Sequence, residues 1–184
     1  MAHPPALQRL NENTIEWSNT GVWRKGRKKL ELWPLHTFEN GDVYVGEWNK
    51  DTDECDGYGI KVICKDGAIY QGYYDSGEKH GNGIYISGKG KFSGDYYIGD
   101  WEHNKKNGYG VYCYHDGKYY KGNWENNKSN GLGEKVTPFR SRYYGEFKDN
   151  LFHGFGIFTH SDGRWYEGEF KKGKMHGKAK WTTS

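Results

Sequence analysis

The chain has 184 residues, of which only 34% are hydrophobic, with 28 glycines and an aromatic share of 17%. That balance describes one domain or a short array whose apolar surface is carried by rings, and it excludes a thick two-layer aliphatic core. A formal net charge of +3 is too small to argue for nucleic acid as a partner.

The N-terminal stretch MAHPPALQRL lacks the apolar centre of a secretion signal. No run of residues reaches the length of a membrane span. Cys55, Cys64 and Cys113 are odd in number and form no C-x-x-C pair, so they read as free thiols in a reducing compartment. The expected location is therefore the cytoplasm. Residues 1–18 form a tail, and a repeated pattern occupies 19–181, leaving 182–184 as the C-terminal end.

The pattern begins imperfectly, with Gly21, Trp23 and Gly26 followed by Leu30 and Leu32 where later copies carry glycine. The next copy opens with Tyr44, Gly46 and Trp48. Counting the opening tyrosine as position zero, glycine falls at +2, a ring at +4, glycine or asparagine at +7, and glycine again at +11 and +13. Tyr70, Gly72 and Tyr74 open the second full copy, and Tyr97, Gly99 and Trp101 the third. Tyr120, Gly122 and Trp124 follow, then Tyr143, Gly145 and Phe147, then Tyr166, Gly168 and Phe170, with Ala179 at the last +13. The starts are separated by 26, 27, 23, 23 and 23 residues. The base period is the shortest of these, and the longer intervals locate insertions at NKDTDECD and SGKGKFSGD.

Within a copy, positions 0, +2 and +4 share one face of a strand, while +1 and +3 face away and are largely polar. Residue +7 favours positive φ and marks a turn. A second strand then runs from +11 to +16 toward Asp66-Gly67, Asp116-Gly117 or Asp162-Gly163, each a hairpin signal. A turn about +7 and +8 sets +4 opposite +11 and +2 opposite +13, so that a ring faces a glycine and lies across bare backbone. The expected fold is all-β: an elongated single-layer antiparallel meander of repeated hairpins.

The Y-x-G-x-W/F opening, the later glycine pair and the 23-residue period over residues 19–181 resemble the MORN repeat (membrane occupation and recognition nexus). The resemblance implies a non-enzymatic scaffold without cofactor. Its partners would be proteins of a larger cytoskeletal complex, such as a ciliary or flagellar axoneme, with pairing of two copies through terminal repeats. A peripheral membrane or phosphoinositide adaptor is the alternative.

Other chemistry is weaker. The glycine pairs lead into strands, without the helix that a phosphate loop needs. His80, His153 and His176 all stand at +10, where Asn107, Asn130 and Asp56 occupy the other copies. A turn-forming polar position accounts for them better than a metal, because equivalent residues of adjacent copies are about 10 Å apart. The acidic loop fails the calcium-loop register, with Ile63 where a ligating glutamate belongs. Ser161, His160 and Asp162 are only the turn HSDG.

Two candidate contact surfaces remain. One is basic: Arg24, Lys25, Arg27, Lys28 and Lys29 at the first copy, and Lys171, Lys172, Lys174, Lys178 and Lys180 at the last. The other is apolar: Tyr58, Tyr109, Leu132 and Phe155 at +12 share parity with the aliphatic +14 and +16 positions. That strip is either the core of a curled sheet or an open surface for a partner segment.

Overall fold

The computed structural model describes residues 30–182. Thirteen strands form one antiparallel sheet in strict sequence order, β1 (Leu30–Thr37) through β13 (Lys174–Trp181), and each pairs only with its chain neighbours. Each full copy contributes two strands. The copy opening at Tyr120 is typical, with β8 at Tyr119–Glu125 and β9 at Lys128–Val136. At about 4.8 Å per strand the sheet runs roughly 58 Å along its hydrogen bonds.

The intra-copy turns are built on +6 and +7, one residue earlier than the sequence suggests. Both turn residues take positive φ: 48° and 69° at Asn126 and Asn127, 49° and 69° at Asp149 and Asn150. That is the two-residue turn whose twist matches a hairpin. Asparagine at +7 has a second task. Asn127 Oδ1 accepts a hydrogen bond from the Lys106 amide at 2.8 Å, and its own amide donates to the Lys106 carbonyl at 3.0 Å. Asn104 and Asn150 tie to Lys79 and Ser129 in the same way. Each turn is thereby fastened to the preceding copy.

The glycine pairing is partly as expected. Position +2 does face +13, as in Gly122 opposite Gly133, and +13 also faces the next +2, as in Gly133 opposite Gly145. The ring at +4, however, stands opposite +9 of its own hairpin, Trp124 against Ser129. It meets the +11 glycine of the preceding copy, Gly108. The cause is a bulge that places the +11 and +12 residues outside the hairpin register. The +11 glycines sit at its crest with positive φ, 95° at Gly108 and 53° at Gly154. A carboxylate at +3 caps the amide that the bulge frees at +12: Asp100 accepts from Tyr109 N at 2.7 Å, and Glu146 from Phe155 N at 3.0 Å.

The opening tyrosine, not the +4 ring, covers the glycine pair. A Cβ at Gly110 would lie 2.3 Å from Tyr97 Oη, and one at Gly99 would lie 2.5 Å from the Gly110 Cα. The first copy differs in register. Trp33, not Leu32, stands opposite Gly46 and stacks on Trp48 with ring centroids 5.6 Å apart. Gly21, Trp23, Gly26 and the basic residues Arg24, Lys25, Arg27, Lys28 and Lys29 lie outside the described residues.

Candidate functional site

The sheet has two unlike faces. One is the core. The tyrosines at zero (Tyr44, Tyr70, Tyr97, Tyr120, Tyr143) and the rings at +4 (Trp48, Tyr74, Trp101, Trp124, Phe147, Phe170) are buried in a single cluster. They meet edge to face along the array: Tyr97 lies 5.2 Å from Trp101 and 5.4 Å from Trp124, with ring planes near perpendicular. Each tyrosine hydroxyl donates to the carbonyl at +3, as Tyr97 does to Asp100 O at 3.0 Å. Burial raises these phenols well above their usual range. Tyr166 and Gly168 continue the pattern into the last copy, where Ala179 faces Gly168.

Two lysines enter this face from +9. Lys79 Nζ lies 4.8 Å from the Tyr85 ring and 5.1 Å from that of Trp101. Lys106 Nζ lies 4.4 Å from Tyr112 and 4.6 Å from Trp124. Such rings attract a cation, while burial disfavours the charged form. Burial draws the Lys106 amine down to about 8, against a smaller opposing pull from Asp95. The folded chain thus releases this proton more readily than the unfolded chain. The penalty is full below pH 8 and fades as pH rises toward the unfolded value of 10.5. We expect Lys106→Met to stabilise the protein by about 1–3 kcal/mol at pH 7, with the gain shrinking by pH 9.5. Urea melts at the two pH values check it, and an equal gain at both would contradict the burial argument.

The other face is open. Tyr58, Tyr109, Leu132 and Phe155 all project from it, half-exposed, at 38%, 51%, 56% and 54%. The core reading of this strip is therefore overturned, because the core occupies the opposite side. The strip belongs to a broader apolar ladder. Val45 faces Ile60 and, after the polar Gln71, Ile84, Ile98 and Val111 follow in register. A parallel row takes Val43, Val62, Ile69 and Ile86. Tyr58 meets Tyr73 edge to face at 5.3 Å. Beyond β7 (Lys105–Cys113) the row turns polar through Lys121 and Glu134, then apolar again at Tyr144 and Ile157.

The remaining candidates fall elsewhere. The +10 histidines are in strand, not turn: His153 faces Glu146 and His176 faces Glu169. Asn107 and Asn130 at the same position donate to Glu102 and Glu125. Among the described residues no group of three or more His, Cys, Asp or Glu could hold a metal ion. The acidic loop folds onto its own copy, with Asp53 accepting from Trp48 Nε1 at 3.2 Å. Lys171, Lys172, Lys174, Lys178 and Lys180 are all exposed at the last copy. Three features had no counterpart in the sequence reading: the +3 carboxylate caps, the +7 side-chain ties and the ring-caged lysines. The recurring acids at +3 and lysines at +9 were the available signals.

Comparison with known proteins agrees with this geometry. The MORN repeat matches at residues 70–92, 97–119, 120–138, 143–163 and 166–184. MORN repeat-containing protein 3 of Xenopus laevis is 37% identical over 78 residues, 41% of this chain and 32% of that protein. Human alsin is 35% identical over 80 residues, 43% of this chain and 5% of alsin. The chain thus spans a third or less of the curated relatives it matches. Among solved structures, the SAS-4 TCP domain of Drosophila melanogaster, in complex with a proline-rich motif of Ana2, gives a TM-score of 0.30 at 12% identity, covering 82% of this chain and 90% of that one. The copy opening at Tyr44 lies outside the matched segments, yet its Gly46 faces Gly59 as the later copies require. With five matched repeats and a uniform hairpin geometry, the chain belongs to the MORN-repeat family.

Proposed function

We propose that the chain is a non-enzymatic protein-interaction scaffold, working in a cytoskeletal assembly such as a ciliary or flagellar axoneme. The observation that supports this is the open face. An apolar ladder from β2 (Val43–Asn49) to β7 (Lys105–Cys113) has no second layer over it within the described residues. Exposed apolar surface of this extent marks interaction sites. The opposite face is filled by rings packed in one buried cluster. The axonemal setting rests on the family resemblance.

The test is affinity purification of the tagged chain from its native cell, beside the variant Tyr58→Ser/Tyr109→Ser/Phe155→Ser. These side chains are half-exposed, so the variant should melt close to the parent. Axonemal or other cytoskeletal proteins should accompany the parent and fall by about tenfold with the variant. Undiminished recovery with the variant, or recovery of membrane proteins alone, would overturn the reading.

A further inference from the structure

Four successive copies bring one lysine to the ring face from two different sequence positions, with the Lys61 and Lys135 amines over the rings of Phe38 and Phe152. In the copies opening at Tyr70 and Tyr97 it arrives from +9, as Lys79 and Lys106, each over the ring at +15 and the tyrosine at zero. In the copies opening at Tyr44 and Tyr120 the lysine is itself the cross-strand partner of the tyrosine, Lys61 and Lys135. The neighbouring position adjusts. Where +9 supplies the lysine, the partner of the tyrosine is Tyr85 or Tyr112. Where the partner is lysine, the residue opposite the +4 ring is small, Cys55 or Ser129. Packing alone does not require this. In the copy opening at Tyr143, Phe152 fills the same space and stacks on Tyr143 at 3.8 Å.

Three of these four charges are not neutralised from within. Lys61 reaches Asp42 at 3.4 Å. Lys79, Lys106 and Lys135 have no ion pair among the described residues, and burial holds all three below the usual lysine range. Asp95, whose field reaches Lys106, is committed to the His115 amide at 2.9 Å and the Tyr112 hydroxyl at 2.8 Å. The +3 acids project from the opposite face, where they cap bulge amides.

We propose that this row binds an acidic polypeptide segment laid over the ring face from β5 (Glu78–Ile86) to β9, its carboxylates pairing with Lys79, Lys106 and Lys135. Lys79 and Lys106 hold the same register position on alternate strands, about 10 Å apart, the reach of three residues of extended chain, so acids three apart in an extended segment match that pair. The shape favours a chain over a membrane. Strands rotate by about 20° each, so the four steps from β5 to β9 turn the row through roughly 80°. A flat bilayer cannot face all three amines at once, whereas an extended segment twists with them.

Fluorescence anisotropy with the full chain tests this. The probe is a labelled peptide carrying glutamate at every third position among glycine and serine, beside its glutamine twin. The glutamate peptide should bind, with the twin and the variant Lys79→Met/Lys106→Met/Lys135→Met each weaker by about tenfold or more. Lys106→Gln alone should weaken binding about threefold and covers loss of folding in the triple variant. The open-face variant Tyr58→Ser/Tyr109→Ser/Phe155→Ser should bind the peptide normally, so failure there is distinct from failure here. Equal affinity for the twin, unchanged affinity in the lysine variants, or binding of phosphatidylserine vesicles with no peptide binding would each overturn the proposal.

Discussion

Replacing Gly99 by alanine is expected to lower stability by about 3 kcal/mol or more, a loss large enough to unfold the copies around it. Gly99 has ordinary backbone angles, so the cost is steric. The added Cβ would lie 2.5 Å from both the Gly110 Cα and the Tyr109 carbonyl oxygen, and 2.6 Å from Tyr97 Oη. Two of those three neighbours are backbone of the paired strand, and the third belongs to a ring with no exposed surface. Relief therefore requires the strands to part. Gly117 is the control. A Cβ there meets nothing within 4 Å, though φ is +83°, so Gly117→Ala should cost only about 1 kcal/mol for its turn conformation. Urea denaturation followed by tryptophan fluorescence separates the two, and equal costs would refute close packing at the glycine pair.

The second large effect belongs to Tyr97. Tyr97→Ala removes a fully buried ring that touches Trp101 and Trp124 and roofs Gly99 and Gly110. The expected loss is about 4 kcal/mol. Tyr97→Phe keeps the ring and loses only the hydroxyl that donates to Asp100 O, for about 1 kcal/mol. Contacts in such an array are between nearest neighbours, so the damage should stay local. Hydrogen exchange should show β6 (Tyr96–Glu102) and β7 deprotected in the alanine variant while β12 (Trp165–Lys171) keeps its protection. Uniform deprotection across the sheet would show one cooperative unit instead.

The repeat period, the hairpins and the sorting of residues onto two faces were legible in the sequence, because side chains alternate along a strand and the period never drifts in the regular copies, but whether the +12 strip was core or open surface was not. The +4 partner was not. A bulge moves Trp124 from Gly131 to Ser129, and periodicity alone carries no signal of a bulge. Parity nonetheless survives, because the bulge adds two residues, so residues expected to share a face do share it where the partners differ. The register at β1 failed for a different reason: without the glycine pair, nothing in the sequence pins Trp33 rather than Leu32 opposite Gly46. On the ring face, Lys79 and Lys135 stand at different offsets, +9 and +15, so the repeat pattern does not pair them. Only the folded sheet shows that both set an amine over the ring face.

Strict nearest-neighbour pairing has a mechanical consequence. Tension applied between β2 and β12 acts along the hydrogen-bond direction, so it opens one ladder at a time and never shears many together. Each copy that yields releases about 23 residues, roughly 75 Å of extended chain. The +7 asparagine ties and the glycine pairs then act as regularly placed catches along the line. Such a sheet would lengthen under load in even steps, at modest force, with most of its copies still folded at any moment.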